Sequence, residues 1–470
     1  MLADATTSNH LTAPPQVIDV VGIGFGPSNI AVAIALDEYN QSAPDGFELT
    51  VKFFERHPEL RWHPGMLFDD ASMQVSFLKD LATFRNPLSP FTFVNFLKAA
   101  DRLVDFTNRG SMEPLRVEFV AYLRWAAEQL SSSVAYSSSV TAVTPVFEEE
   151  SSSDLPRIGH FELTIESEGG VQTVRARNVV ISAGLQPRLP DGVSEGERVW
   201  HSADFLSRIA TFEQGSSRQA DPQDELVAAR SFAVFGSGQS SAEVALHLYE
   251  RFPDATVHLV SSRFGLAPSD QGPLVNQVFD PATVDLIFDA DPAVRERLDS
   301  LHRNSNNSVA STAVIREIFD LQYRDKWIGV ERLRFHRMTK LETLSEECDG
   351  LRMLLRHELA GEAEELLVDA AVFGTGYRVF DSAQLLGSDA ELLCRDSDGL
   401  VEVERDCRAR LRAEGDAGLY LVGQSEHLHG ISSTLLSNVA VRAGEIADSL
   451  VARHLVAASE SALQREGSHV

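Results

Sequence analysis

Along the chain, short apolar runs rich in β-branched residues alternate with stretches whose apolar positions recur at helical spacing. Val17–Ile23 is such a run, too short for a helix and closed by glycines, so it reads as a buried strand. A helix rich in small residues starts near Ile30, and a second strand covers 49–55. The same order returns at Ser231–Phe235, with a helix after it and a strand at Thr256–Val260. Further strands are predicted at 138–145, 161–165, 178–184, 365–377 and 418–423, and helices at 90–99, 118–130 and 433–450. Alternating strands and helices of this kind predict an α/β fold with parallel sheets, in two βαβ-based units.

Both units carry a glycine turn between strand and helix. The first is Gly24-Phe-Gly26-Pro27-Ser28-Asn29, and the second is Gly236-Ser237-Gly238-Gln239-Ser240-Ser241. Such turns bring backbone N–H groups and a helix N-terminus against a pyrophosphate. Asn29 stands where Gly or Ala usually allows close packing; its amide would reach the pyrophosphate or cap the helix. Glu55 closes the strand after the first turn, where a carboxylate accepts from ribose hydroxyls. The corresponding strand of the second unit ends in Ser261-Ser262-Arg263. An Arg with hydroxyls there suits a 2′-phosphate, hence NADPH, a surface cation being the alternative.

The remaining stretches set the organisation. Residues 1–15 read as a disordered arm, 457–470 as a flexible polar tail and 213–227 as an exposed loop. Residues 61–100 are largely irregular and dense in aromatics, amides and prolines. Residues 265–330 do not continue the alternation and read as a helical insertion over the active site. The expected architecture is therefore two Rossmann-like dinucleotide-binding domains with a small helical substrate-binding insertion. The first domain takes 16–212 and 368–456, the second 228–264 and 331–367, and the insertion 265–330.

Composition narrows the partners. With 69 acidic against 41 basic residues the formal charge is −28, which argues against nucleic acid and anionic membrane surfaces. The cysteines Cys348, Cys394 and Cys407 lack metal or redox spacing, so free thiols in a reducing cytoplasm are expected, and no metal site. The first fifteen residues show no signal-peptide pattern, and no apolar run approaches the ~20 residues of a membrane span.

Several motifs carry a family resemblance. Gly24-Phe-Gly-Pro-Ser-Asn29, Trp62-His-Pro-Gly-Met66, Met73-Gln-Val-Ser-Phe-Leu-Lys-Asp-Leu-Ala-Thr83 and Ser89-Pro-Phe-Thr-Phe-Val-Asn95 closely resemble the microbial N-hydroxylating monooxygenases of siderophore synthesis. So do Tyr122-Leu-Arg-Trp125, the second glycine turn, Phe373-Gly-Thr-Gly-Tyr377 and the segment from His429 to Ser437. The Lys79 block and 102–108 look more like ornithine N5-hydroxylases than lysine N6-hydroxylases.

The resemblance implies FAD on the first unit, NADPH on the second, O2 as co-substrate and a flavin C4a-hydroperoxide as oxidant, with no side-chain acid–base dyad. It implies that Lys79 pairs with the substrate α-carboxylate and that Asn276 and the Asn306 carbonyl hold the head group. Leu435 and Ser437 would line the reacting amine, and Gln74 would touch flavin or substrate. Trp62, His63 and Met73 would join Gln74 in holding FAD. A homo-oligomer is implied too.

Four positions depart from the family pattern: Asn307 where Tyr is common, Ser433 where Asp is common, polar Asn438, and an Arg displaced by one onto Arg263. They keep L-lysine, a diamine or another amino acid open as substrate. An FAD/NADPH disulfide or quinone reductase lacks its redox cysteine pair here, and a non-catalytic flavin-binding protein would leave Lys79 unexplained. A free alkylammonium has a pKa of about 10.4, so the pocket must favour the neutral amine, and activity should rise with pH.

Overall fold

A computed structural model describes residues 16–148, 155–219, 230–270, 272–305 and 308–467. Two parallel-centred sheets form its frame. In the first, Val134–Ala135, Val51–Phe54, Val17–Ile23 and Gly170–Ile181 lie side by side in parallel. The long strand Gly170–Ile181 then serves two partners. Its first half pairs antiparallel with Ile158–Ser167, which continues to Ser138–Phe147; its second half pairs parallel with Gly418–Leu421. Alternate side chains feed opposite faces, as pleating requires: Val20, Phe53 and Val180 enter one core, Val21, Phe54 and Ile181 the other. Helices Pro27–Ser42, Arg116–Gln129 and Val439–Gly467 contribute to the first of these cores.

The second sheet is parallel throughout, in the order Leu333–His336, Thr256–Val260, Ser231–Phe235, Ala370–Phe373, Val199–His201. Its membership corrects the domain boundaries expected at 212 and 368. Val199–His201 lies in the second sheet, not the first, and so does Ala370–Phe373. The apolar run 365–373 is cut at Asp369, whose carboxylate accepts the Ser231 N–H at 2.7 Å while its own N–H donates to the Ser231 carbonyl at 2.7 Å. Upstream of that anchor, Ala363–Val368 joins an antiparallel layer with Gly350–His357 and Thr339–Glu347; downstream, the chain enters the parallel sheet. The polypeptide passes between the two units through the antiparallel ribbon of Leu185–Pro187 and Tyr377–Val379.

Other expectations are also corrected. Residues 265–330 are helical, but Thr312–Ile328 is the crossover between the parallel strands Thr256–Val260 and Leu333–His336, with Ile318 in the core under the sheet. The stretch 213–219 belongs to helix Phe205–Gln219 rather than a loop, and 220–229 lie outside the described residues. The last helix begins at Val439, after two 3-10 turns at Ile431–Thr434 and Leu436–Asn438, and runs to Gly467, so the tail is helical to that point. The arm 1–15 lies outside the described residues.

Candidate functional site

In each unit the first glycine meets the carbonyl ending the neighbouring strand. Gly24 has φ +81°, and a Cβ there would lie 2.4 Å from the Ser182 oxygen; Gly236 has φ +137°, and its Cβ would lie 2.4 Å from the Gly374 oxygen. Only glycine fits both the torsion and the contact. The second glycine of the first turn differs: a Cβ on Gly26 would meet nothing within 4 Å, so the loop presents bare backbone to an open side. Pro27 at the first helical position loses no bond there, and neither Gly26 nor Gly238 caps its helix with a side chain. The first-turn N–H groups, including those of Ser28 and Ser240, are left for phosphate oxygens. The first cradle is open, the second is covered at Gly238 by Ser308 and Val309, and both backbones suit a pyrophosphate.

The side chains around the first turn do more than the sequence showed. Both Glu55 oxygens accept backbone N–H groups, from Phe25 and from His57, each at 2.9 Å. A carboxylate has about four acceptor sites, so two remain free to accept from a ligand. Asn29 is fully buried, and its amide donates to the carbonyls of Ile23 at 3.1 Å and Gly24 at 2.7 Å. Its side chain therefore bolts the loop to the strand and does not reach a pyrophosphate. The same correction applies to Ser241, whose hydroxyl donates to the Gly238 carbonyl at 2.9 Å and whose Cβ packs on Gly374. Gln239 is also committed, bridging Glu243 at 2.8 Å and the Ser311 N–H at 2.7 Å.

Between the units sits the motif 62–66. A Cβ on Gly65 would fall 2.2 Å from the Ala203 carbonyl oxygen, so this glycine permits a close crossing. Met66 then enters the core of the second unit, while Trp62 packs against that of the first. Arg116 binds the Met66 carbonyl and holds Glu243 through two bonds of 3.1 and 2.9 Å. Solvent reaches the His63 ring, yet protein surrounds it on most sides. Desolvation, with Arg116 second, pushes its pKa down to about 4, so it is neutral at pH 7. Neither feature was visible in sequence, because Arg116 and Glu243 sit 127 residues apart.

The Lys79 block is built by its neighbour. Asp80, 1% exposed, accepts N–H bonds from Ala82 at 2.9 Å, Thr83 at 2.6 Å and Phe93 at 2.7 Å, and the Thr83 hydroxyl at 2.7 Å. Tyr122 ties the same loop, accepting from Leu81 at 3.1 Å and donating to Phe91 at 2.7 Å. Asp80 is thus spent on positioning. Half-buried Lys79 beside it has no side-chain partner among the described residues. Gln74 is exposed and Met73 buried at the start of this block.

The insertion reaches both units. Its turn Asn276–Phe279 packs on the turn Ile431–Thr434, and helix Pro281–Phe288 lies against Gly430 and His429. Just beyond are Leu435, half-buried, and Ser437, buried. At its other end, Ser308 and Val309 lie over Gly238, and Arg263 donates to the Ser308 carbonyl at 3.1 Å. That bond uses one of five guanidinium donors, and Arg263 has no carboxylate partner among the described residues. Ser262 is exposed beside it, and Ser237 is half-buried. Asn306 and Asn307 lie outside the described residues. No cluster of metal-ligating side chains occurs among the described residues, and no helix there is long and apolar enough to cross a membrane.

Two glycine turns, each between a parallel strand and a helix, define a two-nucleotide frame of the flavoprotein kind. Residues 16–379 match the family model for L-lysine 6-monooxygenase/L-ornithine 5-monooxygenase, and the chain belongs to that family. It is 36% identical over 442 residues to an L-ornithine N(5)-monooxygenase of Pseudomonas aeruginosa, covering 93% of this chain and 95% of that one. Among solved structures it resembles the ornithine N-hydroxylase KtzI of Kutzneria sp. 744, in a complex of reduced FAD, NADP+ and L-ornithine. The TM-score is 0.84 and the identity 41%, over 93% of this chain and all of that one. An L-lysine 6-monooxygenase of Pseudomonas syringae matches with a TM-score of 0.77 and 30% identity, over 93% and 99% of the two chains. The chain is accordingly an NADPH-dependent flavin N-monooxygenase by family.

Proposed function

We propose that this enzyme hydroxylates the side-chain N5 amine of L-ornithine, using NADPH and O2, to supply a hydroxamate building block for a siderophore or related product. The observation that carries the substrate reading is Lys79, a half-buried ammonium without a side-chain partner among the described residues, held by a loop that Asp80 and Tyr122 fix. A cation so placed needs a carboxylate, which an amino acid brings and a simple diamine does not. Asn276 and the Asn306 carbonyl would hold the α-amino end, with Leu435, Ser437 and Gln74 around the reacting amine.

FAD would lie on Gly24, Gly26, Pro27, Ser28 and Glu55, with Trp62, His63, Met73 and Gln74 along it. NADPH would lie on Gly236, Ser237, Gly238 and Ser240, with Ser262 and Arg263 on the 2′-phosphate. FAD held there would supply acceptance of a hydride from the nicotinamide and activation of O2 for transfer to nitrogen. The chain's own part is to orient the amine, exclude water and keep the amine neutral. A homo-oligomer and a cytoplasmic setting complete the reading, the latter in keeping with three unpaired cysteines; sedimentation of the FAD-loaded protein tests the former.

The direct test couples NADPH oxidation to hydroxylamine formed by FAD-loaded protein with L-ornithine, L-lysine and diamines. Hydroxylamine from ornithine, near-stoichiometric with NADPH, is expected. Preference for lysine or a diamine would overturn the substrate and leave the family chemistry standing.

A further inference from the structure

Behind the turns that carry Leu435 and Ser437 lies a small, partly open cavity, walled among others by Arg405, Cys407, Ser433, Asn438, Arg442 and Glu445. It offers about 20 Å³ to the centre of a water-sized sphere. One water needs roughly 10–15 Å³ on that measure, so the space suits one small species and no amino acid.

The polar groups facing it are poorly served. Arg442 is 8% exposed, and its two bonds to the chain are long ones to neutral carbonyls, Ser432 at 3.3 Å and Leu435 at 3.4 Å. It has no carboxylate partner among the described residues. Glu445, three residues on, also lines the cavity; Arg405 holds both its oxygens, at 2.8 and 2.9 Å, and takes Asp285 besides, at 2.6 Å. Cys407 cannot serve as counter-ion, because complete burial pushes its thiol up to about 12. Asn438 is 5% exposed and, among the described residues, neither end of its amide has a protein partner; the hydroxyl of Ser433, 3% exposed, has none there either.

Leaving a buried guanidinium unneutralised costs far more than leaving a neutral dipole unpaired. Water in the cavity would satisfy the amide and hydroxyl but would give Arg442 no direct counter-ion. Guanidinium, amide N–H2 and hydroxyl can all donate into the same atom-sized space, and the guanidinium favours an anion there.

We propose that this cavity is a halide site, taking chloride in solution, with Arg442 as counter-ion and Asn438 and Ser433 as the remaining donors. Through Arg442 the ion braces the backbone at Ser432 and Leu435, and with it the turns beside the reacting amine. The halide assignment does not depend on which amine is hydroxylated.

The test is a crystal of FAD-loaded enzyme grown in sodium bromide, with data collected at the bromine edge. An anomalous peak in contact with Arg442 and Asn438 is expected; a cavity holding only water overturns the proposal. In parallel, thermal unfolding of the FAD-loaded enzyme is followed as chloride replaces gluconate at constant ionic strength. A saturable rise in Tm is expected, and no rise overturns a bracing role. Ser433→Asp places a carboxylate beside Arg442 and should lose both the peak and the chloride dependence. Chloride dependence that survives in this variant assigns it to another place and overturns the proposal. Should Ser433→Asp fail to fold, Asn438→Val serves instead, with a weakened bromine peak expected and an unchanged one counting against the site.

Discussion

The two glycine turns share a backbone design and differ in what closes them. The first is locked from below and from the side by its own unit: Asn29 binds carbonyls at its base, and Glu55 holds the Phe25 N–H. The second has no such acid. It is closed from outside, by Ser308 and Val309 over Gly238 and by the bonds of Gln239 to Ser311 and of Arg263 to Ser308. A loop fixed by its own strand and helix suits a cofactor that stays through many turnovers. A loop closed by a separate segment suits one that must leave as NADP+ and return as NADPH.

The sharpest way to break the comparison is to fill the two glycines of the first turn separately. Gly24→Ala forces a side chain onto the Ser182 carbonyl at positive φ, and should cost on the order of 3 kcal/mol or more, yielding insoluble or FAD-free protein. Gly26→Ala meets no atom within 4 Å, so it should fold with unchanged Tm in the FAD-free state and lose FAD affinity alone. Equal behaviour of the two variants would mean that the open side of Gly26 is not where the pyrophosphate lies.

Acid should separate the units next. His258, under the second turn, is buried beside His336 at 2.9 Å, and desolvation, then His336, pushes it down to about 3. The unfolded chain takes up this proton near pH 6.5, well before the fold does. Stability is therefore full above pH 6.5 and is lost as pH falls towards 3, by on the order of 2–3 kcal/mol by pH 4. Urea titrations across that range, with His258→Gln flattening the slope, check it.

Lys79→Met should raise the KM for ornithine roughly 100-fold, the loss of about 2–3 kcal/mol expected for a charge-assisted pair, while NADPH oxidation continues. Parallel loss of both activities would place Lys79 in the fold rather than at the substrate. The smallest effect belongs to Arg263→Ala, expected to raise the KM for NADPH about tenfold and to leave that for NADH nearly unchanged. Activity on ornithine should also rise with pH as the amine sheds its proton, with a limb approaching that of a free alkylamine, about 10.4, lowered by the pocket.

Much of the frame was legible in sequence, for a simple reason. Val17–Ile23, Ser231–Phe235 and Thr256–Val260 are largely buried on both faces, so they read as mostly apolar runs, broken only by Asp19 and His258, and turns end them. What escaped depended on partners far along the chain. The cut at Asp369 exists because Ser231 is there to bind it, 138 residues away. The crossover helix Thr312–Ile328 hid its buried side, because Phe319 and Trp327 are 62% and 75% exposed while Ile318 is buried, so apolar residues ring it. At the site, Lys79 stood out as a charge in an apolar, amide-rich run. The direction of the Asn29 amide, turned inward, and the labour of Asp80 needed coordinates.

The ribbon between the units has a consequence for how the enzyme could be rebuilt. Pro187 stands opposite Tyr377, so the nicotinamide unit enters and leaves through neighbouring strands, and every strand of the first sheet lies outside the excised span. A two-residue hairpin turn can rejoin those ends. The unit is thus a transplantable cassette, and a truncated chain with such a turn should still retain FAD, with Met66 and Phe68 replaced by polar residues because the core that now buries them would be gone.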